Sequence, residues 1–328
     1  MSNVGSAPKS GALERALCGN IFIDQNLVFM NEGDKDSYNC FKHDIANVLR
    51  ARTDDPASSV TNTSKKKAFN RPLTVVETFE TFNPADYHNY WLEWQPDGNF
   101  QWEELPAEVK AGLEELFVGG AAEEAEDQLT NGDGTLVTGV VTQLRSSGLT
   151  TLDGAKATPT QVTDNTHISF RAHGGGTGDN EGVALTTDNI FAKMQLLINY
   201  RTKAMRKRPN QKFMISSKAG DLLKDAQRTK LNFKGVDIFD DGVMKYAGFE
   251  VVVNPSFPDN DILLCSMSGN MKTDAIQMGT SLSSDLNNLA VDRLNNFNRQ
   301  YGMLLTFALD IFLVRPEECC YYTDFTIV

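Results

Sequence analysis

Between Asp164 and Asp179 the chain gathers residue types that hold metals and phosphates. Asp164, His167, His173 and Asp179 could ligate a cation, and Gly174-Gly175-Gly176-Thr177-Gly178 invites a phosphate-loop reading. Neither pattern completes. No Gly-Lys-Ser/Thr follows the glycines, and Asp179 stands where a Gly-x-Gly-x-x-Gly loop needs its third glycine. The four histidines include no His-Glu-x-x-His spacing, and no Gly-x-Ser-x-Gly elbow is present. The five cysteines, Cys18, Cys40, Cys265, Cys319 and Cys320, contain no Cys-x-x-Cys and read as reduced thiols of a protein made in a cytosol. No catalytic, cofactor-binding or metal-binding residue is therefore assigned. A soluble metal- or phosphate-binding enzyme built on the 164–179 loop is the remote reading, which a calorimetric titration without heat from divalent metals or nucleotides would close.

Two basic groups remain. Lys65-Lys66-Lys67 lies in a polar stretch, 53–72, and reads as a solvated loop tip or a nucleic-acid contact. Arg201, Lys203, Arg206, Lys207 and Arg208 follow a helical pattern. They complement the helix dipole, and they also permit contact with phosphates or an acidic neighbour. Against these stands a net charge of −12, which argues against a surface that wraps nucleic acid. It leaves room for a container wall that faces nucleic acid without gripping it. Tyr87, Tyr90, Trp91, Trp94, Phe100 and Trp102 form the densest aromatic group, but Glu93, Asp97, Glu103 and Glu104 flank it and would repel phosphate. Packing in the core or between subunits is the expectation there.

The element that must position everything else runs from Pro106 to Leu144. Val109, Leu113, Leu116, Phe117, Ala121, Ala125 and Leu129 recur at three- and four-residue steps, which predicts a helix over 106–130 with one apolar face. Such a rod is roughly 36 Å long. Gly119-Gly120 interrupts it and predicts a bend or another backbone pressed close. Asn131-Gly132-Asp133-Gly134 then makes a turn, with two glycines able to take positive φ. Leu136, Val137, Val140, Val141 and Leu144 form a short apolar return. Its natural partner is Met303 to Val314, where Met303, Leu305, Phe307, Leu309, Ile311 and Leu313 alternate with Leu304, Thr306, Ala308, Asp310, Phe312 and Val314 as on a long strand.

The remaining elements read in order. Asp34 to Arg52 predicts an amphipathic helix through Tyr38, Phe41, Ile45, Val48 and Leu49, either docked in its own core or lying on a neighbouring subunit. Leu73 to Phe82 has strand composition, and a shorter strand-like run stands at His167 to Phe170. Thr187-Asp188 opens a helix through Ile190, Phe191, Met194, Leu197, Ile198 and Met205, stopped by Pro209. Phe213 to Ile215 is a strand, and Ser217 caps a helix carrying Ala219, Leu222 and Leu223. Tyr246 to Val253 and Asp261 to Cys265 are two more strands. The alternation predicts a mixed helix-and-strand domain.

A long helix ending in Glu126-Asp127-Gln128-Leu129-Thr130-Asn131-Gly132-Asp133-Gly134-Thr135 resembles the spine helix and following turn of tailed-phage major capsid proteins of the Hong Kong 97-type fold. Gly248 to Val253, the strand before Asn270, and Asp292-Arg293, Asn296-Phe297 and Arg315-Pro316 follow in that family's order. The resemblance implies an α+β Hong Kong 97-like fold with no enzyme activity and no cofactor. It implies an N-terminal arm over 1–52 and an E-loop over 53–85. A peripheral (P) domain over 86–144 contains the spine helix. An axial (A) domain covers 145–275, with a long loop or insertion at 145–186. Residues 276–328 return to the P domain. The implied function is self-assembly, as hexamers and pentamers, into an icosahedral virion shell around double-stranded DNA, without sequence-specific contact. Synthesis would be in the host cytoplasm, with separate scaffolding, decoration and portal partners, since the chain before the E-loop is too short for a fused scaffold. An encapsulin-like compartment is the alternative, and the polar 53–72 stretch favours the phage reading.

Some members of the family weld their shells by an isopeptide bond between an E-loop lysine and an asparagine, helped by a glutamate. Here Arg299 stands at the asparagine position, Thr306 at the glutamate position, and 293–316 contains no glutamate. No autocatalytic crosslinking is expected. No signal peptide is expected, and Met303 to Val314 is too short for a membrane helix.

Overall fold

A computed structural model of the 328-residue chain describes residues 21–33, 37–46, 63–83, 107–145, 171–172, 183–203, 205–229, 239–240, 243–281, 288–294 and 300–324. The first half runs α1 (Ile21–Asp24), β1 (Phe29–Gly33), β2 (Ser37–Ala46), β3 (Thr63–Pro72), β4 (Thr74–Phe82), α2 (Ala107–Asn131) and α3 (Val140–Arg145). There follow β5 (Arg171–Ala172), α4 (Ile190–Asn199), β6 (Gln211–Ile215), α5 (Ser217–Thr229), β7 (Phe239–Asp240), β8 (Val243–Tyr246) and β9 (Phe249–Val253). The chain closes with β10 (Ile262–Ser266), β11 (Ile276–Ser281), β12 (Asn288–Arg293), β13 (Tyr301–Leu313) and β14 (Cys320–Tyr322).

The strands make two main sheets. The first has the order β1-β11-β13-β12, with β4 also paired to β13. The second has the order β5-β14-β10-β6-β9-β8-β7. The stretch between α3 and β11 supplies six of the seven strands of the second sheet. One strand departs from the expected plan. β14 leaves the first sheet and pairs antiparallel with β10 in the second. The chain end is thus shared between the two sheets and does not simply return to the first.

The 25-residue helix α2 and the 13-residue strand β13 form the predicted clasp. Phe117, Val118, Ala121, Ala122, Ala125 and Leu129 share one buried cluster with Met303, Leu305, Phe307, Leu309, Ile311 and Leu313. Burying the six strand residues stabilises by on the order of 10 kcal/mol, an upper bound. Met214, Val252, Leu263, Cys265 and Tyr321 join the same cluster, so the inner face of the second sheet closes this core. The outer face of that sheet carries α4 and α5 on a second core of Ile190, Met194, Leu197, Phe213 and Leu223, among others.

Leu116 belongs to the predicted stripe but falls outside the buried face. It is 74% exposed, because the buried face of α2 runs through Val118 and Ala122 instead. The helix is unbroken at Gly119-Gly120, and added Cβ atoms there would meet open space. No backbone of the same chain is pressed against the pair among the described residues. The turn after α2 is tighter than composition suggests. Gly134 takes φ +98°, whereas Gly132 and Gly139 are needed for close approach between backbone segments. Gln143 on α3 then closes the end of β13: its Nε2 donates to Ile311 O at 2.7 Å and its Oε1 accepts Leu313 N at 3.0 Å.

Residues 37–46 are a strand, not part of the predicted helix; they pair residue for residue with Thr63–Pro72. The spacing of Tyr38, Phe41 and Ile45 satisfies a helical template, but the nonlocal partner supplies the backbone bonds and wins. The predicted Tyr246–Val253 strand is two strands, folded back at Ala247-Gly248 with both residues at positive φ. The cap of α5 is Ser216, whose Oγ accepts Ala219 N at 3.1 Å, not Ser217. α4 begins at Ile190 and ends at Asn199, so the basic group lies beyond its end. Arg201 Nε donates to Ile198 O and Arg206 Nη2 to Asn199 O, each at 3.0 Å, so two of these cations still satisfy its last carbonyls.

Burial of hydroxyls and thiols has a consequence for pH. It raises the pKa of Tyr38, Tyr246 and Tyr321 above the usual tyrosine value, and pushes Tyr322 and Cys40 up to about 12. In the unfolded chain these groups lose protons near pH 8.5 to 10 (approximate values). Their folded pKa values are raised, so their contribution is complete below about pH 8 and is lost as pH climbs through about 12. Melting temperature should fall across that alkaline window, with the share of the tyrosinate absorbance band that belongs to Tyr38, Tyr246, Tyr321 and Tyr322, four of the eight tyrosines, growing only as the protein unfolds. Tyrosinate appearing in full before any loss of secondary structure would contradict this burial.

Candidate assembly surface

β2 and β3 form a sheet of their own, ten residues on each side. At ~3.4 Å per residue the ribbon is about 34 Å long. Isolated two-stranded ribbons are marginal in water, so its base must be fastened. Tyr38 and Arg71 are cross-strand partners near that base. Both converge on Asp310 of β13: Tyr38 Oη donates at 2.7 Å and Arg71 Nε at 3.2 Å. The Arg71 guanidinium also lies 4.5 Å over the Phe312 ring. Around them Tyr38, Cys40, Leu73, Ala308 and Val314 form a small buried cluster, which occupies the second face of the predicted 303–314 strand. Gly279 makes room for it, because a Cβ there would stand 2.4 Å from the Tyr38 ring.

Burial raises the Asp310 pKa, and Arg71 acts in the opposite direction. Burial works against the Arg71 charge, yet Asp310 holds its pKa above the ordinary value. The pair fastens the ribbon to β13. Asp310→Ala removes the shared acceptor and should cost the ribbon about 2 kcal/mol of local stability. Hydrogen exchange in 37–46 and 63–72 should then speed roughly thirtyfold, with 211–215 and 262–266 unchanged. Equal acceleration everywhere would mean that Asp310 serves global folding instead.

Beside this anchor, β4 is an edge: among the described strands it pairs only with β13. Val75 and Phe79 on it are half exposed, and the Phe79 ring and the Leu294 side chain both lie close to Gly302. A groove of about 220 Å³ lies between β4 and α2, lined by Val76, Phe79, Ala121, Gln128, Leu136 and Phe307. Exposed apolar edges of this kind pair with other chains unless covered. On α2, Leu116 and the three glycines Gly112, Gly119 and Gly120 present an open flank.

Sequence reasoning found the strand carrying Asp310 but not its partners, because Tyr38 was assigned to a helix. A lone carboxylate on an otherwise buried strand face was the signal that a cation or donor must meet it. Asp164, His167, His173 and Asp179, the Gly174–Gly178 run and the His167–Phe170 strand lie outside the described residues, as do Cys18 and the Tyr87–Trp102 aromatic group. Cys40, Cys265, Cys319 and Cys320 are buried and form no disulfide among the described residues. Among the described residues no three His, Cys, Asp or Glu side chains gather to hold a metal, and no helix is long and apolar enough to cross a membrane.

No protein-family profile and no curated protein matches this sequence. Solved structures do match the fold. A chain of the satellite phage P4 procapsid, which includes the size determination (Sid) protein, superposes with TM-score 0.54 at 10% identity, covering 96% of this chain and 98% of that one. A chain of the native GTA particle capsid gives 0.57 at 12% identity, over 99% and 93%. The holo-SrpI encapsulin complex from Synechococcus elongatus PCC 7942 gives 0.51 at 12% identity, over 100% and 92%. The two-sheet arrangement, the long helix against β13 and these matches along both chains lead to one conclusion: this polypeptide has the mixed α+β fold found in phage capsids and encapsulins.

Proposed function

We propose that the chain is the major shell protein of a tailed phage, assembling as hexamers and pentamers into an icosahedral head around double-stranded DNA. The observation that carries this reading is the correspondence in fold, end to end, with chains of capsids and an encapsulin. In this reading α2 is the spine of a peripheral domain built on the first sheet, and the second sheet is the axial domain. The β2–β3 ribbon is the E-loop, so that loop starts near Ser37 and not at residue 53. Its fastening to Asp310 leaves the distal part to reach a neighbouring copy. The neighbour's exposed β4 edge and α2 flank offer apolar surface for such contacts. The net charge of −12 suits a wall that encloses DNA without binding it tightly.

The encapsulin match favours a second reading, a compartment holding a protein cargo. Native particles purified from producer cells and treated with nuclease separate the two. Protected double-stranded DNA is the expected content. A co-purifying enzyme without DNA would transfer the assignment to the compartment. No covalent welding accompanies assembly in this account. Thr306 faces Glu77 across β4, but Glu77 is exposed and is no desolvated base. Assembled particles should therefore dissolve to monomers on a denaturing gel.

A further inference from the structure

The basic group after α4 is not used by the clasp or by the ribbon. With the starts of β6 and β9 and the end of β8 it walls a pocket of about 450 Å³ at one end of the second sheet. Arg201, Arg206, Arg208, Lys212 and Lys245 line it, against one lining carboxylate, Glu250. Carboxylates already meet some of these cations. Arg208 forks onto both oxygens of Glu318 at 2.7 Å, and Lys212 lies 3.0 Å from Glu250.

Arg201 and Arg206 differ. Arg201 donates to Ile198 O and, at 2.9 Å, to Gln211 Oε1, and its guanidinium lies 4.6 Å over the Phe249 ring. Arg206 donates to Asn199 O. Every one of these acceptors is neutral. Each guanidinium has five N–H donors, so both retain donors for a ligand. Burial, and then repulsion from Arg206, lower the Arg201 pKa. In a chain of net charge −12, these are cations fixed in place by neutral partners.

We infer that this pocket binds a compact polyphosphate, free or as a nucleoside ester. Planar guanidinium forks match phosphate oxygens, and preplaced arginines lose little freedom on binding. A concave pocket of this size admits a few linked phosphates and not a duplex. The site is complete within one chain, so it stands whether or not the chain forms shells.

The test is calorimetric titration of the full-length protein at low salt with sodium tripolyphosphate. Adenosine triphosphate runs in parallel, and potassium chloride at matched ionic strength is the blank. Saturable binding at one site per chain is expected, weakening as salt rises. Equal affinity for the two ligands means that phosphates alone are read. Tighter binding of the nucleotide identifies the ester as the better ligand. Arg206→Gln with Lys245→Gln should weaken binding at least about tenfold. Lys207→Gln removes the same type of charge outside the lining and should leave binding unchanged. A chloride-like response overturns the inference, as does equal weakening by Lys207→Gln. So does a polyglutamate peptide or a DNA duplex that binds more tightly and is not displaced by tripolyphosphate. Unchanged melting temperature of the double variant without ligand verifies that it folds. If it does not fold, Arg206→Gln alone, at an exposed side chain, carries the same expectation of weakened binding, and unweakened binding there overturns the inference.

Discussion

Gly139→Ala should abolish most soluble protein. The Cβ it adds would stand 2.5 Å from Gly132 N, 2.6 Å from Thr130 O and 2.7 Å from Asn131 N. All three are backbone atoms at the end of α2, and none can swing aside as a side-chain tip would. The Gly139 N–H also donates to Gly132 O at 2.9 Å, so shifting the segment breaks the bond that closes the turn. The turn sets the direction of α3, and α3 carries Gln143 to the backbone of β13. A cost on the order of 4 kcal/mol is expected, a large part of a typical domain's stability. Denaturant melts of any soluble fraction check it. Gly112→Ala, at an open helical position, should be neutral or stabilise by up to about 1 kcal/mol. Wild-type stability for Gly139→Ala would mean that this turn is looser than described.

Glu318→Ala is the second large effect. Glu318 is 3% exposed and accepts both forks of Arg208, and Arg315, which is fully buried, lies 3.5 Å from its Oε1. Removing one carboxylate leaves two guanidiniums close together and one of them buried without that counter-charge. Breaking a buried pair from one side costs about 3–5 kcal/mol, chiefly through desolvated charge. For a chain of this length that corresponds to a fall of roughly 4–7 °C in melting temperature. Glu318→Gln keeps the acceptor oxygen and should lose less. A fall under about 2 °C for Glu318→Ala would show that solvent reaches Arg315.

The parts of the fold legible in the sequence are those whose buried faces are long and periodic. Helix α2 repeats its apolar residues over seven turns, and β13 alternates over thirteen residues, so each identified its own face and its partner. The ribbon was illegible because half of it, Thr63–Pro72, is polar and lysine-rich. Its structure is imposed by pairing with Ser37–Ala46, and no local pattern encodes that. The end of α4 was placed too late because Pro209 is the obvious stop signal. Arginines reaching back to Ile198 O and Asn199 O allow an earlier end without glycine. The anchor at Asp310 was half visible, as a carboxylate on a buried strand face. Its partners come from across 239 and 272 positions of sequence separation, beyond any local pattern.

Electron microscopy of the purified full-length chain, with sedimentation velocity on the same sample, tests the central claim directly. The account predicts closed shells of uniform size, with the β2–β3 ribbon of each copy in contact with its neighbour. Monomers at every concentration and salt, or open aggregates in which that ribbon touches no second copy, would contradict it.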